Sequence, residues 1–129
     1  MHTALLRRCT SRTPEGHDVG RFSLRALAGL LHVRWQPDLV IDRTDITLAA
    51  AAIQARGGPN LPLLVEVCGL REITRDARDA ILAYRHSPRI AILGSDAVDL
   101  VLTAFAVRSP IETRFFTDRD EAVGWLLQG

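Results

Sequence analysis

The stretch from Leu63 to Ala77 constrains this chain more than any other. Leu63-Leu64-Val65-Glu66-Val67 is a short apolar run, the pattern of a strand covered on both faces. Glu66 is its one charge. Cys68-Gly69 follows as a tight turn, and Thr74 is placed to cap a helix whose Ala77, Ala80, Ile81 and Tyr84 share a face. A strand linked so tightly to a helix reads as one unit of a parallel sheet with right-handed crossovers.

The flanking segments repeat the unit. Pro88 precedes Ile90-Ala91-Ile92-Leu93, a second buried strand, and Gly94-Ser95-Asp96 turns it into a helix capped by Ser95 or Asp96. Glu112 to Phe116 reads as a last strand. Thr117-Asp118-Arg119-Asp120 resembles a capping box, opening a helix through Ala122, Val123, Trp125 and Leu126. Upstream, Leu31, Val33 and Trp35 alternate with His32, Arg34 and Gln36, which predicts a strand with one wet face. Phe22, Leu24 and Ala26 predict its hairpin partner across Ala28-Gly29, and Pro37 ends the pair. Asp42 caps a helix with Asp45 in its first turn, Ile46, Ala49, Ala50 and Ile53 as its apolar stripe, and Gly57-Gly58-Pro59 as its stop. Residues 1–20 show no periodicity and predict a flexible arm. Residues 21–129 predict a single α/β domain: a mostly parallel sheet with an N-terminal antiparallel hairpin and covering helices.

Composition removes several functions. With 47% hydrophobic residues in 129, the chain can bury a core without disulfide or metal staples. A net charge of +1 gives no basic field for a phosphate backbone, so no nucleic-acid partner is expected. All 16 basic residues are Arg, which excludes a Schiff-base or phosphate-loop lysine. No apolar run approaches the ~20 residues of a membrane span, and the start lacks the apolar core of a secretory signal. The only cysteines, Cys9 and Cys68, do not form a disulfide framework, and Cys68 reads as a small buried hydrophobe. A cytoplasmic location is expected.

Catalytic chemistry has little to stand on. His2, His17, His32 and His86 show no metal-ligand spacing, and no cysteine pair is spaced for zinc. His32 reads as a solvated residue on the polar side of its strand. Ser95 lacks the G-x-S-x-G elbow, and Cys68 has no adjacent His or Lys to activate it. Parallel topology brings Cys68-Gly69, Gly94-Ser95 and Phe116-Thr117 to one rim. There Asp76, Asp96, Asp118 and Asp120 oppose a bound phosphate. The expectation is a non-enzyme without cofactor or metal.

The third helix is the greasiest. Between Ala97 and Val107 only Asp99 and Thr103 are polar, more apolar surface than a sheet-covering helix needs. A homodimer is expected, with Val98, Val101, Leu102 and Phe105 at its interface.

The order of these motifs resembles the STAS family, the anti-sigma-factor-antagonist domains. Its pattern is an apolar strand, Asp-Leu-Ser-Gly-Val, then Asp-Ser-Ser-Gly opening a helix. Glu66-Val67-Cys68-Gly69-Leu70 and Ile73-Thr74-Arg75-Asp76-Ala77 stand in those places. The end, Phe116-Thr117-Asp118-Arg119-Asp120-Glu121-Ala122-Val123-Gly124-Trp125-Leu126, resembles a branch of small bacterial SpoIIAA-like proteins, as does Trp35-x-Pro37. The similarity spans about residues 21 to 127. It implies a compact βα superhelix that docks other proteins. In phospho-regulated members a kinase modifies a Ser that corresponds to Asp76 here, so the resemblance implies a switch that is absent or fixed in one charge state. Thr74, the nearest hydroxyl, is needed as a cap. The implied contact surface is Thr74, Arg75, Asp76, Arg78 and Asp79, for a protein partner the sequence does not name. The alternative is a carrier of a small apolar ligand such as a lipid, lined by the third helix.

Overall fold

Alternating hydrophobics and capped helices set the chain into a mixed sheet with helices on both faces. The computed structural model describes residues 17–18, 20–56 and 60–128. Strands β1 (His17–Asp18), β2 (Phe22–Leu27) and β3 (Leu30–Trp35) pair antiparallel. A short β4 (Val40–Ile41) leads to helix α1 (Arg43–Ala55). Then come β5 (Leu63–Glu66), β6 (Glu72–Ile73) and α2 (Arg75–Ala83). The next unit is β7 (Arg89–Leu93) with α3 (Ala97–Thr103), which runs on as a 3-10 segment, Ala104–Arg108. β8 (Glu112–Phe116) and α4 (Arg119–Leu126) close the chain. The six-stranded sheet has the order β1-β2-β3-β5-β7-β8, parallel from β3 onward, and β4 and β6 form a second, two-stranded parallel sheet.

Register explains the core. Phe22 lies opposite Trp35, Leu24 opposite Val33, Val33 opposite Val65, and Val65 opposite Ile92. A period of two puts all of these on one face of the sheet. They pack against Ala49 and Ile53 of α1, Ala77 of α2, and Ala106 of the 3-10 segment. The alternate residues Leu30, Leu64, Ala91 and Leu93 meet Ala122, Trp125 and Leu126 of α4 on the other face. Trp125 stacks 5.6 Å from Phe116, with the Arg89 guanidinium 4.7 Å above its ring. The helix starts form as their side chains dictate. Asp42 and Asp45 make a reciprocal capping box, and Thr74, Asp96 and Asp118 each accept from first-turn amides.

Two sequence expectations change, and one small sheet is new. The wet face of β3 does not exist: all six of its residues are buried, His32 and Arg34 included. β3 is a central strand, and on its second face Arg119 of α4 reaches His32. His17 and Asp18, expected within a loose arm, pair with Leu24 and Ser23 as an edge strand. The rest of the arm and the Gly57-Gly58-Pro59 stop lie outside the described residues. The small β4–β6 sheet has no counterpart in the sequence reading, because two-residue strands carry no periodicity.

Candidate functional site

The carboxyl ends of β5 and β7 form a rim, and one buried carboxylate organises it. Asp99, in the first turn of α3, is 2% exposed. Its Oδ1 accepts from the Gly69 N–H at 3.1 Å, and its Oδ2 accepts from the Ser95 N–H at 2.7 Å and the Ser95 hydroxyl at 2.9 Å. Gly69 takes φ +78°, a conformation that favours glycine, and its carbonyl accepts from the Asp38 N–H at 2.8 Å. The turn after β5 is thereby fastened to α3 on one side and to the segment before β4 on the other.

The start of α2 stands beside this turn. Thr74 is half-buried, its N–H donates to the Ile41 carbonyl at 2.9 Å, and its hydroxyl oxygen accepts from the Ala77 N–H at 3.2 Å. Its hydroxyl is committed to the cap. Arg75, Asp76, Arg78 and Asp79 are exposed, and among the described residues their side chains make no hydrogen bond or ion pair. All five residues expected at a contact surface therefore sit together, four of them with free charges.

Helix α3 is inside out. Its polar residues Asp99 and Thr103 are buried, and the Thr103 hydroxyl donates to the Asp99 carbonyl at 2.8 Å. Outward stand Val98 at 62%, Leu100 at 45%, Val101 at 73% and, from the 3-10 segment, Val107 at 67% exposure. The four residues expected at a dimer interface divide. Val98 and Val101 are on this apolar surface, whereas Leu102 and Phe105 are half-buried and pack against the core. Leu100 and Val107 are additions. The chain tightens from α to 3-10 after Thr103. The 3-10 segment also packs on α2.

Beneath these helices lies an apolar cavity of about 110 Å³. Val33, Val65 and Ile92 form its sheet wall, with Ala49 and Ala50 of α1 and Phe105 opposite. Small alanines facing β-branched residues leave the gap.

The other face of the sheet holds a buried polar pair, His32 Nε2 to Glu66 Oε1 at 3.0 Å. An Arg119 nitrogen stands 3.4 Å from His32 Nδ1. Arginine only donates, so Nδ1 accepts and Nε2 carries the proton offered to Glu66. This corrects the expectation of a solvated His32 and explains the lone charge in β5. Glu66 Oε2 is buried without a hydrogen-bond partner among the described residues. Cys68 is buried and is not a free cysteine, in contrast to its reading as a simple apolar filler. Among the described residues no three His, Cys, Asp or Glu side chains gather as metal ligands would, and no helix is long and apolar enough to cross a membrane.

An antiparallel hairpin feeding parallel βα units makes this an α/β domain, and its fold is SpoIIAA-like. A crystal structure of an uncharacterized DUF3478-family protein with a SpoIIAA-like fold, from Shewanella loihica PV-4, superposes with a TM-score of 0.58. The match covers 91% of this chain and 98% of that one, at 19% identity. The chain belongs to the family described as domain of unknown function DUF7793, whose model matches residues 22–128. Comparison with curated proteins finds no match.

Proposed function

We propose that this chain is a non-enzymatic docking domain that pairs with a second copy of itself through α3 and receives a protein partner at the start of α2. The inverted α3 carries the reading. Val98, Leu100, Val101 and Val107 face solvent while Asp99 and Thr103 are spent on internal hydrogen bonds, so the helix hides its polarity and displays hydrocarbon. Contiguous exposed apolar surface on a soluble domain marks an interaction site. The exposed charges of Arg75, Asp76, Arg78 and Asp79, which make no hydrogen bond or ion pair among the described residues, supply orientation and partner choice. Sedimentation equilibrium tests the pairing. A dimer that Val101→Glu converts to a folded monomer supports it, and a monomeric wild-type chain refutes it. A cytoplasmic location is part of the proposal, and cell fractionation tests it: recovery in the cytoplasmic fraction supports it, and recovery in a membrane or exported fraction opposes it.

A carrier of small apolar cargo is the second reading, favoured by the cavity beneath the helices. Native mass spectrometry of the purified chain decides it: a stoichiometric adduct supports cargo, and a bare chain opposes it.

A further inference from the structure

The cavity's polar lining is as informative as its apolar walls. Among the described residues only Tyr84, Thr103, Ser109 and Thr113 bring hydroxyls to it. Each is already engaged within the chain. Tyr84 pairs with Ser87 at 2.8 Å, and the Thr103 and Thr113 hydroxyls donate to the Asp99 and Ile111 carbonyls at 2.8 Å. Ser109 Oγ accepts from the Ile111 N–H at 3.0 Å and keeps its own proton to donate. Among the described residues no charged side chain lines the space. A carboxylate or phosphate headgroup entering it would lose water and find at most one or two neutral hydroxyl donors, too few to replace its hydration, which is strongly unfavourable.

Size narrows the class further. About 110 Å³ falls short of the ~300–1,000 Å³ of ordinary ligand pockets. It is close to the roughly 150 Å³ engineered cavity that stays dry and takes up benzene. We infer that the space between α1, the 3-10 segment and the inner face of β3, β5 and β7 is a binding site for one small headgroup-free hydrocarbon of about benzene's size. This rests on the cavity that favours the carrier reading but not on a cargo carried in the cell, and it narrows the sequence expectation of a lipid to something smaller.

Benzene titration followed by methyl NMR tests it. Saturable one-site shifts are expected for Val33, Val65 and Ile92, which line the cavity, and not for the exposed Val98 and Val101. Hexanoate should leave the cavity methyls unmoved at the concentration that saturates with benzene. Ala50→Leu fills the space and should weaken benzene binding at least about tenfold, the discrimination typical of an apolar pocket altered by a methylene or more. Val65→Ala enlarges the space without adding bulk, so it decides the matter if Ala50→Leu does not fold, and it should tighten binding. Absence of saturation, hexanoate binding equal to benzene, or an unchanged affinity in both variants overturns the inference. A bare native mass spectrum with saturable benzene binding would end the cargo reading alone.

Discussion

Removing the Asp99 carboxylate should unfasten the rim, and the cost can be worked from its contacts. In Asp99→Ala the Gly69 and Ser95 amides and the Ser95 hydroxyl lose their acceptor, at a site that is 2% exposed. Hydrogen bonds to a charged group contribute about 1.5–3 kcal/mol each, and an unsatisfied buried donor costs about 1–3 kcal/mol. The Ser95 hydroxyl can rotate toward other acceptors, so two amides dominate and the loss comes to about 3–5 kcal/mol. Burying the carboxylate offsets part of its worth in the wild type, which favours the lower end. Asp99→Asn keeps one acceptor but turns an NH₂ toward a donor, so it should cost about half as much, roughly 2 kcal/mol. Urea unfolding read by Trp35 and Trp125, both buried, measures this directly. With a slope of about 1–3 kcal/mol per molar, a loss of 3 kcal/mol moves the midpoint by about 1–3 M. Hydrogen exchange at the Gly69 and Ser95 amides should accelerate at least about a hundredfold, the equivalent of nearly 3 kcal/mol. If Asp99→Ala unfolds within about 0.5 kcal/mol of the wild type, as an ordinary surface substitution does, the fastening role is wrong.

Gly94 tests the same corner from the steric side. A Cβ there would lie 2.7 Å from Asp99 Cβ and 2.7 Å from the Phe115 ring, so Gly94→Ala should destabilise by about 1–3 kcal/mol in the same urea assay. Burial pushes the Asp45 carboxyl up, but hydrogen bonds from Arg21 and the Asp42 amide outweigh it and hold the pKa below 3.8. That stability is present above the unfolded-state value and lost as pH falls through the folded one. Between pH ~6 and ~3, Arg21→Ala should therefore lose less stability than the wild type, and an identical loss would discount the pair. Asp76→Arg should leave urea unfolding unchanged and abolish capture of the partner in a pull-down, and retained capture would remove α2 as the contact site.

How far the residues announced this arrangement depends on what their spacing can encode. Asp42 and Thr74 were readable as caps because capping is local, and each does cap; of Ser95 and Asp96 it is Asp96 that caps, and the last helix is capped by Asp118 without the box expected over Thr117 to Asp120. Leu63 to Val67 and Ile90 to Leu93 were readable as strands because continuous apolar runs suit a sheet covered on both sides. Period two in β3 correctly put His32 and Arg34 on one face, but no local pattern shows whether a helix 87 residues further on reaches over that face. The greasy character of the third helix was legible, and its direction was not. Asp99 and Thr103 point inward because Gly69 and Ser95 offer amides there, a pairing across 30 residues for Gly69. Leu102 and Phe105 pack on the core and not in the outward set, and local spacing does not forecast it.

The last strand, β8, bonds to β7 on one side and has no ladder on the other among the described residues. Such a margin invites chains to stack strand against strand into fibres, and proteins discourage this with short, charged borders. β8 is five residues long and alternates exposed Glu112 and Arg114 along its length, with Glu112 held by Arg89 at 3.2 Å. A second copy approaching that border would have to strip water from a guanidinium and a carboxylate in turn. Open-ended growth of the sheet is thus penalised, while the hydrocarbon of α3 stays available. Crowding in the cell should accordingly favour closed, countable assemblies over aggregates.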